Sequence, residues 1–191
     1  WLALRGFNDF AGSAAVHTMG GIAALAAAIV LGPRLGKYNK NGSTNIIPGH
    51  NLPLAATGGF ILWFGWFGFN PGSTLAAVGN WELIGIVVVN TFLASAAGGI
   101  STMIYTYFSY GKIDITMVIN GILAGLVAIT AGCNVVDPLS AIIIGVFAGV
   151  LVDLGVIYID KLKIDDPVGA IAVHGINGIF GTIAVGLFAS N

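Results

Sequence analysis

Runs of apolar residues long enough to cross a bilayer, broken by short polar connections, constrain this chain more than any other feature. A spanning helix needs about 20 mainly apolar residues to cross a hydrocarbon core about 30 Å thick. Six segments reach or approach that length, approximately Phe10–Leu31, Leu52–Phe69, Trp81–Tyr107, Ile115–Ala131, Leu139–Ile159 and Val168–Ala189. The third is long enough to tilt. Charged residues make up 8% of the chain, against about 25% in an average soluble domain. A soluble all-α protein could not build an adequate polar surface from so few. The expected fold class is therefore all-α, a polytopic transmembrane helical bundle.

The basic residues give the topology. Arg34, Lys37 and Lys40 lie in the first connection, Lys112 in the third, Lys161 and Lys163 in the fifth, and none in the second or fourth. If every segment crosses, these residues share one side, which the positive-inside rule makes cytoplasmic. Arg5 alone falls outside, and both chain ends are expected on the outer face. The formal net charge of −1 points to no nucleic-acid partner. Cys133 is the single cysteine, so an intrachain disulfide is ruled out. The chain opens on Trp1 just before its first motif, and it is expected to be a piece of a longer protein.

Within this pattern one motif occurs twice. Asp9-Phe-Ala-Gly-Ser-Ala-Ala-Val-His17 and Asp166-Pro-Val-Gly-Ala-Ile-Ala-Val-His174 share D-x-x-G-x-x-A-V-H-x-x-x-G-I, offset by 174 − 17 = 157 residues. The topology brings Asp9 into the membrane from outside and Asp166 from inside, so the repeat is inverted. Each histidine lies about 12 Å of helix beyond its aspartate, near the midplane of a core about 30 Å thick. That is where inverted-repeat transporters place their substrate sites.

The residue types suggest particular chemistry. Each aspartate reads as an N-cap accepting from free backbone N–H groups, with direct cation binding as the lesser reading. The glycines and alanines of the motif, including Gly12, Gly21, Gly169 and Gly178, read as packing devices for close helix approach. A lone membrane histidine could simply bond a neighbouring helix. Two at matched depth favour a shared site, because neutral imidazoles can donate and accept to each other and burial disfavours charge. Such a pair would admit a small neutral hydrogen-bonding molecule, or relay a proton. A metal site is the weaker alternative, since two histidines make a poor ligand set and no further ligand is close in sequence. Asp153, near the inner end of the fifth segment, reads as solvated or paired within its helix. Phe60, Trp63, Phe64, Trp66, Phe67 and Phe69 crowd the outer end of the second segment. They form either an interfacial belt or an entrance holding a cation over aromatic faces.

DFAGSAAVH, HNLPLAATGGFILWFGWFGFNPGS, NGILAGLVAITAGCNVVDP and KIDDPVGAIAVHGINGIFG, in that order, resemble the ammonium transporter family, in its Amt/Mep branch rather than the Rhesus branch. The resemblance covers essentially the whole chain. It implies a fold of eleven spans in two inverted halves, of which this chain resembles spans five to ten. It further implies a homotrimer with one pore per subunit, in the cell membrane, transporting ammonium or ammonia, with methylammonium as a further candidate substrate, and with no cofactor and no enzymatic activity. A PII-type regulatory protein is an implied partner. His17 and His174 match the twin histidines of the pore, Trp66 a tryptophan lining it, and Phe69 the inner member of a phenylalanine gate. Ser73 matches a serine that recruits ammonium in the outer vestibule, and Asp9 an acidic residue below it that is structural or stabilises the cation. An ammonium sensor on the same fold and a channel for another small neutral solute are the alternatives.

Overall fold

The computed structural model describes residues 1–190. Six α-helices occur in the expected order: α1 Met19–Leu31, α2 Leu52–Gly72, α3 Trp81–Tyr110, α4 Ile115–Ile129, α5 Pro138–Lys161 and α6 Asn177–Phe188. A π-helical segment leads into α1 (Ser13–Thr18) and another into α6 (Ile171–Ile176). Five spans are long and apolar enough to cross a membrane: Ser13–Leu31, Leu52–Gly72, Trp81–Tyr110, Pro138–Lys161 and Ile171–Phe188.

Helix starts follow from their caps. The Asn51 side chain accepts from Leu54 N–H, the Asp114 carboxylate from Thr116 and Met117, and the Asp137 carboxylate from Leu139 and Ser140. These oxygens satisfy N–H groups that the first turn leaves free. Gly111, at φ 69°, closes α3 in the left-handed conformation that glycine adopts without penalty.

The fourth span differs from its expected extent, Ile115–Ala131. Its helix stops at Ile129, and its 15 residues rise only about 22 Å. Helix α4 is packed on by α2, α3, α5 and α6, and every residue from Leu123 to Cys133 is buried. Irregular backbone at membrane depth is tolerated when protein rather than lipid surrounds it. Here its polar groups are met one by one. Ala131 C=O accepts from Phe10 N–H at 3.0 Å and Asn8 Nδ2 at 2.8 Å, and Thr130 C=O accepts from Ala11 N–H at 3.0 Å. Asn90 of α3 donates to Cys133 C=O at 3.0 Å and Val136 C=O at 2.8 Å.

Helices α3, α4 and α5 meet through glycines. A Cβ on Gly98 would strike the Gly121 carbonyl, and one on Gly145 the Ala94 carbonyl. Such close approach is how helices associate in lipid, where apolar side chains gain nothing by leaving the acyl chains. Outward-facing positions are bare and apolar, for example Val30, Phe64 and Leu187. Asp153 departs from its reading as solvated: it is 1% exposed within α5, with Oδ2 unpartnered. The small residues that draw α5 onto α3 seal that face from water.

Contacts at the two ends group the connections as the charge-based reading groups them. The segment before the first span, the turn after α4 and the chain's far end lie together, as Ser190 N–H donates to Val135 C=O at 2.8 Å. At the opposite end the first and fifth connections interlock. Arg34 pairs with Asp165 at 2.8 Å and Lys37 with Asp160 at 3.1 Å. Tyr38 Oη donates to Asp160 at 3.2 Å, and Lys163 Nζ to Gly42 C=O at 2.6 Å.

The Arg34 guanidinium, through its hydrogen bonds, holds the Asp165 carboxyl below the usual carboxylate range, against the opposing effect of burial. A depressed folded-state pKa contributes stability above the unfolded value of about 3.9, lost as pH falls through the folded value. The melting-temperature difference between the native full-length protein and its Asp165→Asn variant is therefore expected to be full at pH 7 and to shrink below about pH 4. Thermal unfolding in detergent across that range measures it; a constant difference would contradict the assignment.

Candidate functional site

Each copy of the repeated motif builds the same local device. Gly12 and Gly169 take positive φ, 110° and 75°, a region that side-chain-bearing residues enter at a cost. These two glycines are thus conformational devices, and Gly169 serves packing as well: a Cβ there would meet Asn120 Nδ2 of α4 at 2.6 Å and Val156 of α5 at 3.4 Å. Gly21 and Gly178 do serve packing. After each left-handed glycine the chain winds as a π-helix, and Val16 and His17 N–H both donate to Gly12 C=O at 3.0 Å. Asp9 accepts from Ala14 N–H at 3.1 Å and Ala15 N–H at 2.8 Å; Asp166 accepts from Ala170 at 2.9 Å and Ile171 at 2.7 Å. Both carboxylates are caps, and their oxygens are spent on backbone.

A π-turn leaves a carbonyl without its usual partner, and such turns are frequent at functional sites. Thr18 Oγ1 donates back to Ser13 C=O at 2.9 Å, and Asn177 Nδ2 to Ala172 C=O at 3.0 Å. Neither residue stood out along the chain. Thr18 aligns with Gly175 in the repeat and Asn177 with Gly20, so the motif comparison passed over both.

The two π-bearing helices cross in antiparallel fashion. The first π-segment packs on α6 and the second on α1. A Cβ on Gly21 would strike the backbone of His174 and Gly175, and one on Gly178 would crowd Thr18 and Ser13. With the offset of 157, the contact between positions 21 and 175 exchanges with that between 178 and 18. The crossing is a local two-fold.

On this axis the histidines meet. His17 Nδ1 and His174 Nδ1 are 3.2 Å apart, with rings stacked at 5.2 Å and 21°. Between neutral rings such a contact needs opposite tautomers, one Nδ1 donating and the other accepting. One then offers an Nε2 lone pair and the other an Nε2–H. His17 is 7% exposed, and its Nε2 is buried without a partner.

Aromatic rings cover His17. Trp66 stacks on it at 5.0 Å and 17°, and Phe69 leans over it at 5.6 Å and 46°. The crowded aromatics of α2 thus divide by helical face. Trp66 and Phe69 turn inward, Phe60 and Trp63 stack with each other, with Phe92 against Trp63, and Phe64 faces outward. Phe69 remains 38% exposed. Trp66 is anchored by a buried polar chain. Its Nε1–H donates to Thr130 Oγ1 at 3.1 Å, Thr130 lies 3.2 Å from Asn70 Oδ1, and Asn70 Nδ2 donates to Thr91 at 3.1 Å. Sequence reading missed Thr130, Asn70 and Thr91, although polar residues inside apolar spans were an available signal. Ser73 Oγ donates to Phe69 C=O at 3.0 Å, which leaves its lone pairs free. Asp9 stays in its capping role and touches neither imidazole ring through any of its hydrogen bonds. No group of three or more His, Cys, Asp or Glu suited to a metal occurs among the described residues.

This all-helical bundle, with five apolar spans among the described residues, is that of a multi-pass membrane protein. The chain belongs to the Ammonium Transporter Family, whose model matches residues 1–191. It is 54% identical over 185 residues to the ammonium transporter Amt2 of Archaeoglobus fulgidus, covering 96% of this chain and 39% of that protein. It is 44% identical over 194 residues to ammonium transporter 1 member 3 of Solanum lycopersicum, covering 96% of this chain and 42% of that protein. Among solved structures, one described as Sensor Amt Protein superposes with a TM-score of 0.94 at 52% identity, covering 100% of this chain and 46% of the other. Candida albicans Mep2 superposes at 0.89 with 35% identity, covering 100% and 41%. The chain therefore spans less than half the length of these relatives. Theirs is a transport family rather than an enzymatic one.

Two substitutions in the full-length protein probe this framework. Gly12→Ala places a Cβ at φ 110° and against Val16 Cγ2, and should cost about 1–3 kcal/mol. Thr130→Val leaves the Trp66 N–H buried without an acceptor, at about 1–3 kcal/mol. Denaturant or thermal unfolding in detergent measures both; losses under about 0.5 kcal/mol, the level of an ordinary surface change, would refute these roles.

Proposed function

We propose that this chain forms the histidine-bearing part of an ammonium-transporting pore. The observation that carries the reading is the 3.2 Å imidazole pair with an unpartnered, buried Nε2 beneath Trp66 and Phe69. In this reading the chain supplies spans five to ten of an eleven-span inverted-repeat fold, in a homotrimer in the cell membrane. Its share of the relatives' length, 39% to 46%, supports a partial chain.

Ammonium is an N–H donor and a cation, and what lies before the histidines suits both properties. Ser73 has lone pairs to accept, because its own hydrogen is directed to Phe69 C=O. The exposed face of Phe69 offers cation–π attraction. Beyond Phe69 the surroundings are apolar and the charge becomes costly, so ammonium gives its proton back to water at the outer entrance and goes on as ammonia. Ammonia retains three donors and one lone pair. Opposite tautomers at His17 and His174 offer an Nε2 acceptor and an Nε2–H donor, which match a molecule able to do both. A bare potassium ion or sodium ion finds no anionic ligand, and the Asp9 carboxylate is occupied by backbone N–H groups. Asp9 acts through its charge and by holding the His17 segment in place. Methylammonium is a competing substrate, and a PII-type protein is the regulatory partner at the inner face.

A sensor is the second reading, favoured by the likeness to the structure described as Sensor Amt Protein. The same site would then bind ammonium and signal through a partner.

In the full-length protein in proteoliposomes, His17→Ala with His174→Ala should abolish selective ammonium uptake while the protein still melts cooperatively. Uptake and selectivity equal to the native protein would refute the pore reading. Native protein that binds ammonium with no measurable flux would favour the sensor.

A further inference from the structure

The contact between the histidines is short, and the surfaces that bring them together are smooth. Gly21 and Gly175 meet backbone to backbone, a contact that sets the distance between helices but resists axial sliding weakly. A slide by one residue moves a helix about 1.5 Å along its axis. That alone would take two nitrogen atoms at 3.2 Å outside hydrogen-bond range. At the outer end Ser13 and the Phe10 and Ala11 N–H groups tie the His17 segment to α4 and the turn after it; at the opposite end the two helices need a fastener of their own.

Among the described residues, the side-chain hydrogen bonds joining residues 13–34 to residues 165–188, apart from the imidazole pair, are those between Arg34 and Asp165. Three converge on one carboxylate. Arg34 Nε donates to Oδ2 at 2.8 Å, a terminal guanidinium nitrogen to Oδ1 at 2.9 Å, and the Arg34 backbone N–H to Oδ2 at 2.9 Å. A two-pronged guanidinium–carboxylate pair fixes direction as well as distance. The Asp165 side chain is 2% exposed, so the geometry is held by packing as well as by charge.

Both partners are coupled rigidly to the histidines. Arg34 follows the end of α1 by only Gly32 and Pro33, and α1 continues directly from the His17 segment. Asp165 adjoins Asp166, whose two oxygens cap the segment that carries His174. The neighbouring pair, Lys37 with Asp160, reaches only the end of α5 and does not touch the His174 segment.

We infer that the Arg34–Asp165 pair is a positioning device that sets the axial register of the two antiparallel helices and so aligns the His17 and His174 rings from the inner membrane face. Its consequence for flux rests on the pore reading above; its consequence for the rings does not.

The test uses the full-length protein in lipid, with two readouts. Solid-state NMR of 15N-labelled histidine follows the ring nitrogens, the His17→Ala/His174→Ala protein supplying the assignment. Ammonium flux is measured in proteoliposomes in parallel. Arg34→Gln and Asp165→Asn should each move or split the Nδ1 resonances and lower flux on the order of tenfold, the scale of loss for ångström misplacements of reacting groups. Arg34→Lys, which keeps charge but not the fork, should lie between. Lys37→Gln should leave the resonances in place. If Arg34→Gln fails to fold, Asp165→Asn decides, since its amide oxygen still accepts the Arg34 backbone N–H. Unmoved resonances in a folded Asp165→Asn protein would overturn the inference, as would Lys37→Gln moving them equally. Moved resonances with native flux would support the positioning role and count instead against the pore reading.

Discussion

Much of this structure depends on one crossing. Gly21 lies on the backbone of Gly175, and Gly178 on Thr18 and Ser13. A lipid-facing protein gains little by hiding apolar side chains, so its helices hold together through packing and directional bonds. Hydrogen at these positions allows backbones to touch. A larger group at either point would part the helices and draw the imidazoles out of contact. The left-handed glycines and π-turns work with the crossing. They rotate each histidine toward the two-fold, and Asp9 and Asp166 consume the N–H groups that this winding exposes.

The two ends of the crossing are secured by different chemistry. At the outer end α4 and the turn after it are held by neutral hydrogen bonds: Asn8 and Asn90 donate to the Ala131 and Cys133 carbonyls, and Ser13 Oγ donates to Val127 C=O and accepts from Ala131 N–H. Charge there would be expensive, because buried ions lose their hydration. At the inner end, where Arg34 reaches water, ion pairs take over. The Trp66–Thr130–Asn70–Thr91 chain joins α2, α3 and α4 behind the site. Thr130 Oγ1 accepts from Trp66 and shares its one hydrogen between Leu126 C=O at 2.7 Å and Asn70 Oδ1 at 3.2 Å, and a buried network so interdependent is intolerant of partial removal.

Spans, sidedness and the repeated histidines were legible in the sequence because they rest on composition and spacing. Twenty apolar residues have few alternatives to a spanning helix, and a charge bias between loops needs no tertiary detail. The early end of α4 was not legible. An apolar run looks the same whether it continues as helix or turns inside protein, and only the partners of Thr130 and Ala131 make the turn possible. Asp153 was misplaced for a related reason: its burial depends on how closely α5 approaches α3, which glycines far along both helices decide.

The sequence by itself determined an all-helical membrane protein and the order of its spans, and it set the expected sidedness and the expected depth of two histidines. These are consequences of apolar length, charge placement and helix rise, each a property of neighbours along the chain. Only the tertiary structure decided that the histidines touch, which aromatic rings cover them, that Gly12 and Gly169 take left-handed backbone, and that Arg34 binds Asp165. The two pairings join residues 157 and 131 positions apart, and the rings over His17 come from a different helix. Such meetings depend on crossing geometry and close packing, which no local pattern of residues encodes.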